Sequence, residues 1–245
     1  MAISKLFRSV NTALRQRAKL DPVHGVSLCH DLRRLIPHFD PQVIFDVGAN
    51  QGQSIPEFGE NFPRARIICF EPIRATFARL QKNTSGLSNV DCYNLGLGSG
   101  PRSALMIAAK KSELSSLADA VNDTRRENGV IETVQMDTLD EFCLARGLTH
   151  IDILKIDTEG HDMEVLRGGE ALLENKYIDV IQVEAGMNSL NSTHVPFDDF
   201  RAHLDSKKYH LFGLYDQVHE WPTDRPSLRR ANAVFISEFL VNGRD

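Results

Sequence analysis

No segment of the 245-residue chain stays apolar for the ~18 positions a helix needs to cross a bilayer. No C-x-x-C pair is present, and the four cysteines, Cys29, Cys69, Cys92 and Cys143, stand apart in the sequence. That spacing argues against a structural zinc site and suits a reducing compartment, so a cytoplasmic protein is expected. Neither sign of charge dominates. The 28 Lys and Arg against 33 Asp and Glu leave a net −5, and no global basic field invites nucleic acid. The first twenty residues lack an unbroken apolar run followed by a small-residue cleavage site, so no secretory signal is expected. What is there is ordinary globular composition, 42% hydrophobic and 25% charged, enough for one large domain with a full core.

Residues 1–20 carry five Lys or Arg and no acid, with Ile3, Leu6, Phe7, Val10 and Leu14 on one helical face. Such a helix packs on its own domain, self-associates with a second copy, or makes peripheral contact with an anionic membrane. Residues 1–40 are read as an N-terminal helical extension and 41–245 as the main domain. From "QVIFDVG" onward, apolar strands alternate with helices: "RARIICFEP", "NVDCYNLGLGS", "IDILKIDTEG" and "YIDVIQVEAG" are the clearest strands. "RSALMIAA" and "VIETVQM" read as further strands, and "HDMEVLRGGEALLENK" as one helix or two broken at Gly168-Gly169. The alternation predicts an α/β fold, a Rossmann-like doubly wound sheet, mostly parallel. "HLFGLYDQV" and "NAVFISEF" follow one another without a helix and predict an antiparallel hairpin at its edge.

"VIFDVGANQGQ" ends the first strand in Asp46 and a turn holding Gly48 and Gly52 as G-x-x-x-G. Ligands of such sheets sit at the carboxyl ends of the strands, and glycine lets backbone approach them. Glu71 closes the second strand, nineteen residues after Gly52, near the ~20-residue spacing of an acid that receives a ribose diol. A dinucleotide needs G-x-G-x-x-G for its pyrophosphate, and the close G-x-G pair is missing. An acid before the turn suits a cation better. S-adenosylmethionine, with ammonium, sulfonium and adenosine but no phosphate, fits that distribution: Asp46 near its amino-acid end, Glu71 at its ribose. The bland alternative makes Asp46 a cap for the turn. Asn50 inside the turn and Pro72 after the acid complete the expected cofactor-binding set.

"FDVGANQGQ", "CFEPIRATFARL", "MDTLDEF" and "ILKIDTEGHDMEVLRGG", in that order, resemble the FkbM-type family of S-adenosylmethionine-dependent methyltransferases. The resemblance covers roughly residues 43–236. It implies a class I methyltransferase fold and O-methylation of a hydroxyl on a sugar, glycan, lipid-linked or polyketide-type acceptor. It places the cofactor on Asp46, Gly48, Gly52 and Glu71. Two other classes stay open at this point: an NAD-linked oxidoreductase, and a non-catalytic binding module on the same fold.

Strand alternation puts Ile153, Lys155 and Asp157 on one face of "IDILKIDTEG", with Glu159 and His161 following in the loop. Asp157, His161 and Glu184 form the expected catalytic group, from which the base that accepts the hydroxyl proton is drawn. Asp157 and Glu159 equally suit helix capping, and Glu184 an ion pair with Lys155. Asp157, Glu184 and Asp137 offer oxygen ligands for Mg²⁺, but no spacing demands a metal and none is expected. Loops 96–100, 112–119 and 188–197 are candidates for the adenine border and a lid, and His194, Tyr215 and Trp221 for acceptor contacts.

Overall fold

The computed structural model describes residues 24–108, 116–117, 130–220 and 225–242. The basic helix expected over 1–20, most of loop 112–119 and Trp221 lie outside them. The chain divides after Phe39 into two compact units. In the first, helix α1 (Leu28–Leu35) starts at Ser27, whose hydroxyl accepts the His30 N–H at 3.3 Å. Arg33 and Arg34 occupy its last turn, where cations suit the helix dipole.

The second unit is built on a seven-stranded sheet. Its strands are β1 (Val43–Val47), β2 (Arg66–Phe70), β3 (Val90–Tyr93), β8 (Ile151–Ile156), β9 (Ile178–Gly186), β10 (Tyr209–Glu220) and β11 (Arg225–Ser237), in the order β10-β11-β9-β8-β1-β2-β3. All pairs among β3, β2, β1, β8 and β9 are parallel. β11 runs antiparallel to both β9 and β10. The expected hairpin is therefore present, with its second strand inserted between β9 and β10.

Helices cover the sheet: α2 (Ile55–Asn61), α3 (Arg74–Thr84), α4 (Leu139–Arg146), α5 (Asp162–Arg167), α6 (Glu170–Glu174) and α7 (Phe197–Ser206), with α8 (Glu238–Asn242) at the end. α4 is capped by Thr138, whose hydroxyl accepts the Glu141 N–H at 3.0 Å, and closed by Gly147 in the left-handed region. It buries Phe142 among Phe45, Phe70 and Tyr93, ring centroids 4.7–5.8 Å apart. The Arg146 guanidinium lies 3.8 Å over the Phe142 ring.

"NVDCYNLGLGS" does not stay in one sheet. After β3 the Asn94 side chain donates to the Glu71 and Pro72 carbonyls at 2.9 and 2.8 Å, and the chain then leaves the main sheet. β4 (Gly96–Leu97) joins β5 (Arg102–Ala108), β6 (Ser116–Leu117) and β7 (Val130–Asp137) in a second sheet of order β4-β7-β5-β6. Lateral register also makes Cys69 and Cys92 neighbours on β2 and β3. All four cysteines are free thiols. Among the described residues no helix is long and apolar enough to cross a membrane.

Candidate active site

A cleft opens over the carboxyl ends of β1, β2 and β8, about 970 Å³ including its open mouth. Its floor is the turn after β1. Gly48 adopts φ +80°, and the N–H groups of Gly48 and Ala49 both donate to the Phe70 carbonyl at 3.0 Å. A Cβ on Gly48 would lie 2.0 Å from the Asp157 carbonyl oxygen. The glycine therefore lets β1 and the β8 terminus close on each other. Asn50, at φ +50°, takes the left-handed conformation that asparagine tolerates, and Gly52 at φ +89° ends the turn. Gly48, Asn50 and Pro72 line the cleft; Gly52 does not, because its missing Cβ faces Ile55 and Leu80.

Glu71 lines the same cleft and is nearly buried. Its Oε1 accepts the Ile73 N–H at 2.8 Å. Burial pushes its carboxyl from the ordinary 4.5 up to about 7; the Ile73 and Asn50 amides pull the other way, and the Asp46 charge adds to the rise. Asp46 does not reach the cleft. It is fully buried behind the turn, with Oδ1 3.1 Å from the Lys155 ammonium and Oδ2 without a partner. The pairing follows from register, since Asp46 and Lys155 are lateral neighbours on β1 and β8. Lys155 also reaches Asp157 at 3.3 Å. Burial works against its charge, but Asp46 and Asp157 outweigh burial and raise its pKa above the ordinary lysine value.

The expected catalytic trio is divided by the structure. Asp157 and His161 both line the cleft, and Glu184 is not among its lining residues. His161 starts α5 with its Nε2 buried and unpartnered, facing Gly98. Burial lowers its pKa, with Arg102 adding to the fall and Glu164 opposing it. Glu184, at the end of β9, pairs not with Lys155 but with His194, Oε2 to Nε2 2.6 Å, and with Arg230. Glu159 stands with Glu184 and His194 and also borders the cleft. Its carboxyl is pushed up to about 7 by burial and then by Asp157.

Three features escape sequence reasoning. The cleft's apolar wall is Ile73 with Met106 and Met136 from the second sheet; alternation in "SALMI" and "TVQM" is its only trace. The Asp46–Lys155 pair needs the strand order. The Glu184–His194 contact needs the path of loop 187–196, for which the sequence carries no signal. Tyr215 is buried in β10, and Asp137 accepts its neighbour Thr138's N–H at 2.8 Å.

The geometry can hold a nucleoside against an apolar wall with an acid at the end of β2. Residues 46–211 match the Methyltransferase FkbM domain. The chain is 27% identical over 195 residues to the 2-O-methyltransferase NoeI of Sinorhizobium fredii, covering 71% of this chain and 76% of that protein. It is 27% identical to Methyltransferase 1 of Beauveria bassiana, over 64% of this chain and 67% of that one. To the hexuronic acid methyltransferase AglP of Haloferax volcanii it is 25% identical, over 63% and 61%. The sheet order, the inserted antiparallel strand and the cleft over β1 and β2 are those of a class I methyltransferase, and with two thirds of its length on the family's pattern the chain belongs to the FkbM methyltransferases.

Proposed function

We propose that the protein is an S-adenosylmethionine-dependent O-methyltransferase acting on a hydroxyl of a sugar-like acceptor. The observation that carries the cofactor is Glu71: a carboxylate nearly buried at the end of β2, facing a cleft whose floor is glycine turn and whose wall is apolar. A ribose diol donating to Glu71 would supply the partners that its burial withholds. Ile73, Met106 and Met136 offer apolar surface to a base. Asp157, at the cleft wall with its side chain 42% exposed, is the carboxylate placed for the cationic end. Asp46 acts from behind by holding Lys155, and Lys155 in turn orients Asp157. When bound, the cofactor supplies an electrophilic methyl on sulfur.

The residues' task is to hold an acceptor oxygen ~3–3.5 Å from that methyl, in line with the breaking bond. His161 and Glu159 line the cleft and offer proton-accepting groups, and burial favours the neutral form of the imidazole. The sugar-like acceptor rests on the 2-O- and hexuronic acid methyltransferases that the chain resembles. Four free thiols support a cytoplasmic setting.

The test is calorimetry with S-adenosylmethionine and with its demethylated product, followed by transfer of labelled methyl to a panel of glycosides. Binding of both by the native protein, lost in Glu71→Ala, is expected. No heat from either ligand would end the proposal.

A further inference from the structure

Glu159 differs from the other acids at the cleft. It lies half-buried in the segment after β8, yet among the described residues its carboxylate makes no hydrogen bond or ion pair. Its neighbours are committed. Asp157 reaches Lys155 at 3.3 Å, Glu184 is held by His194 and Arg230, and Glu71 accepts the Ile73 N–H at 2.8 Å. A half-buried carboxylate without a donor costs free energy. Stability of the fold therefore gives no reason for an acid at this position.

The backbone is costly there too. Glu159 sits at φ +54°, in the left-handed region that few residues other than glycine adopt. Both flanks are pinned. The Asp162 carboxylate, almost wholly buried, accepts the Thr158 hydroxyl at 2.9 Å and the Gly160 N–H at 3.3 Å. Gly160, at φ +97°, packs so tightly on loop 187–196 that a Cβ would lie 2.3 Å from the Thr193 carbonyl oxygen. Strain that the surroundings enforce, beside a ligand cleft, marks a position kept for its chemistry.

We propose that Glu159 is the catalytic base of the methyl transfer, receiving the proton of the acceptor hydroxyl, with Asp162 and the Thr193 contact positioning it. The proposal rests on the methyl-transfer reading and selects one base from the cleft. His161 is poorly placed, since its Nε2 is buried and lies against Gly98. Asp157 is drawn to Lys155, and Glu184 does not line the cleft. In the step, the hydroxyl O–H bond breaks as its proton passes to a Glu159 oxygen. The hydroxyl oxygen's electron pair forms the bond to the methyl carbon, and the carbon–sulfur pair returns to sulfur. The proton then leaves Glu159 for water, which restores the carboxylate. Burial and the Asp157 charge push this carboxyl up to about 7, with Asp162 adding to the rise and His194 and Arg230 opposing it. A base poised near the working pH is the efficient choice.

The experiment compares the native chain with Glu159→Gln and Glu159→Asp. Thermal unfolding needs no ligand. With no hydrogen bond to lose, Glu159→Gln should unfold at a higher temperature than the native protein at pH 8, where the native fold holds a half-buried charge. That advantage should shrink as pH falls through about 7 and be gone below about 4.5, where the carboxyl is neutral in both states. Transfer of labelled methyl to a panel of glycosides, at saturating S-adenosylmethionine, reads kcat. Glu159→Gln should lose about 10²–10⁴-fold in kcat, while calorimetry finds its S-adenosylmethionine affinity little changed. Native kcat should rise with pH and level off above about 7, a limb that Glu159→Asp keeps at a lower rate and Glu159→Gln lacks. Saturating cofactor holds Glu71 engaged, so its own titration does not imitate that limb.

A Glu159→Gln protein that unfolds earlier than the native one at pH 8 gives the residue a structural role and overturns the proposal. So does an unchanged kcat, a kcat lost in step with cofactor affinity, or a pH limb that survives Glu159→Gln and vanishes in His161→Gln. Cofactor binding by the native protein without transfer to any glycoside overturns it as well. No S-adenosylmethionine binding at all sinks the methyl-transfer reading itself, whereas binding and transfer that outlast Glu159→Gln sink the base alone.

Discussion

On the proposed function, Glu71 is where burial and ligand chemistry oppose one another. Its carboxyl titrates at about 7 in the folded protein against an ordinary 4.5. The raised value means that folding favours the protonated form. That contribution to stability is complete below about 4.5 and is lost as pH rises through about 7. A ribose diol donates hydrogen bonds and favours the carboxylate. Cofactor affinity is therefore expected to rise from pH 6 to pH 8, falling up to tenfold per unit below about 7, and to flatten in Glu71→Gln; calorimetry across that range reads it. Behind the turn, Lys155 neutralises a fully buried Asp46. Lys155→Met should cost about 3–5 kcal/mol in urea unfolding, because it strands a buried charge. The double change Asp46→Asn with Lys155→Met should recover most of that loss, which a purely packing role for Lys155 would not allow.

The strands that build the cleft were legible because they are buried on both faces and read as apolar runs: "VIF", "IICF", "IDILKI" and "VIQV" sit where expected. The turn after β1 was legible because only glycine fits Gly48 beside the Asp157 carbonyl. The second sheet was legible only in its strands: "RSALMIAA" and "VIETVQM" read as strands and form β5 and β7, but β4 has two residues and nothing in the sequence separates the three from the main sheet. Side-chain pairing between elements was the least visible: Asp46 with Lys155 is 109 residues apart in sequence, and only strand order brings them together. The break between α5 and α6 packs against the end of β4. Gly168 lies against β4's end so closely that a Cβ would sit 2.0 Å from the Gly98 carbonyl oxygen. Both sides of that contact are backbone, so neither can rotate away. Gly168→Ala should lower the unfolding midpoint by an amount equivalent to about 1–3 kcal/mol, whereas Gly100→Ala, with open space around it, should leave stability nearly unchanged.

Across the whole molecule, the cleft is the place where both sheets and the β8 loop meet. Its walls come from β1, β2, β5, β7 and the segment after β8, which the sequence scatters from residue 47 to residue 161. A ligand that touches all of them binds only the assembled fold, so its binding free energy adds directly to folding stability. At a hundred times its dissociation constant, S-adenosylmethionine should contribute about 2.7 kcal/mol. For a domain of this size that corresponds to a rise in Tm of about 5–11 °C. The experiment belongs at pH 8, where Glu71 is ionised. At pH 6 the same concentration should give a smaller rise, because the carboxyl must first lose its proton. Glu71→Ala should show little shift at either pH while keeping a cooperative transition. A Tm that climbs equally at both pH values, or equally in the variant, would mean that the nucleoside is held without Glu71 and that the acid at the end of β2 has another use.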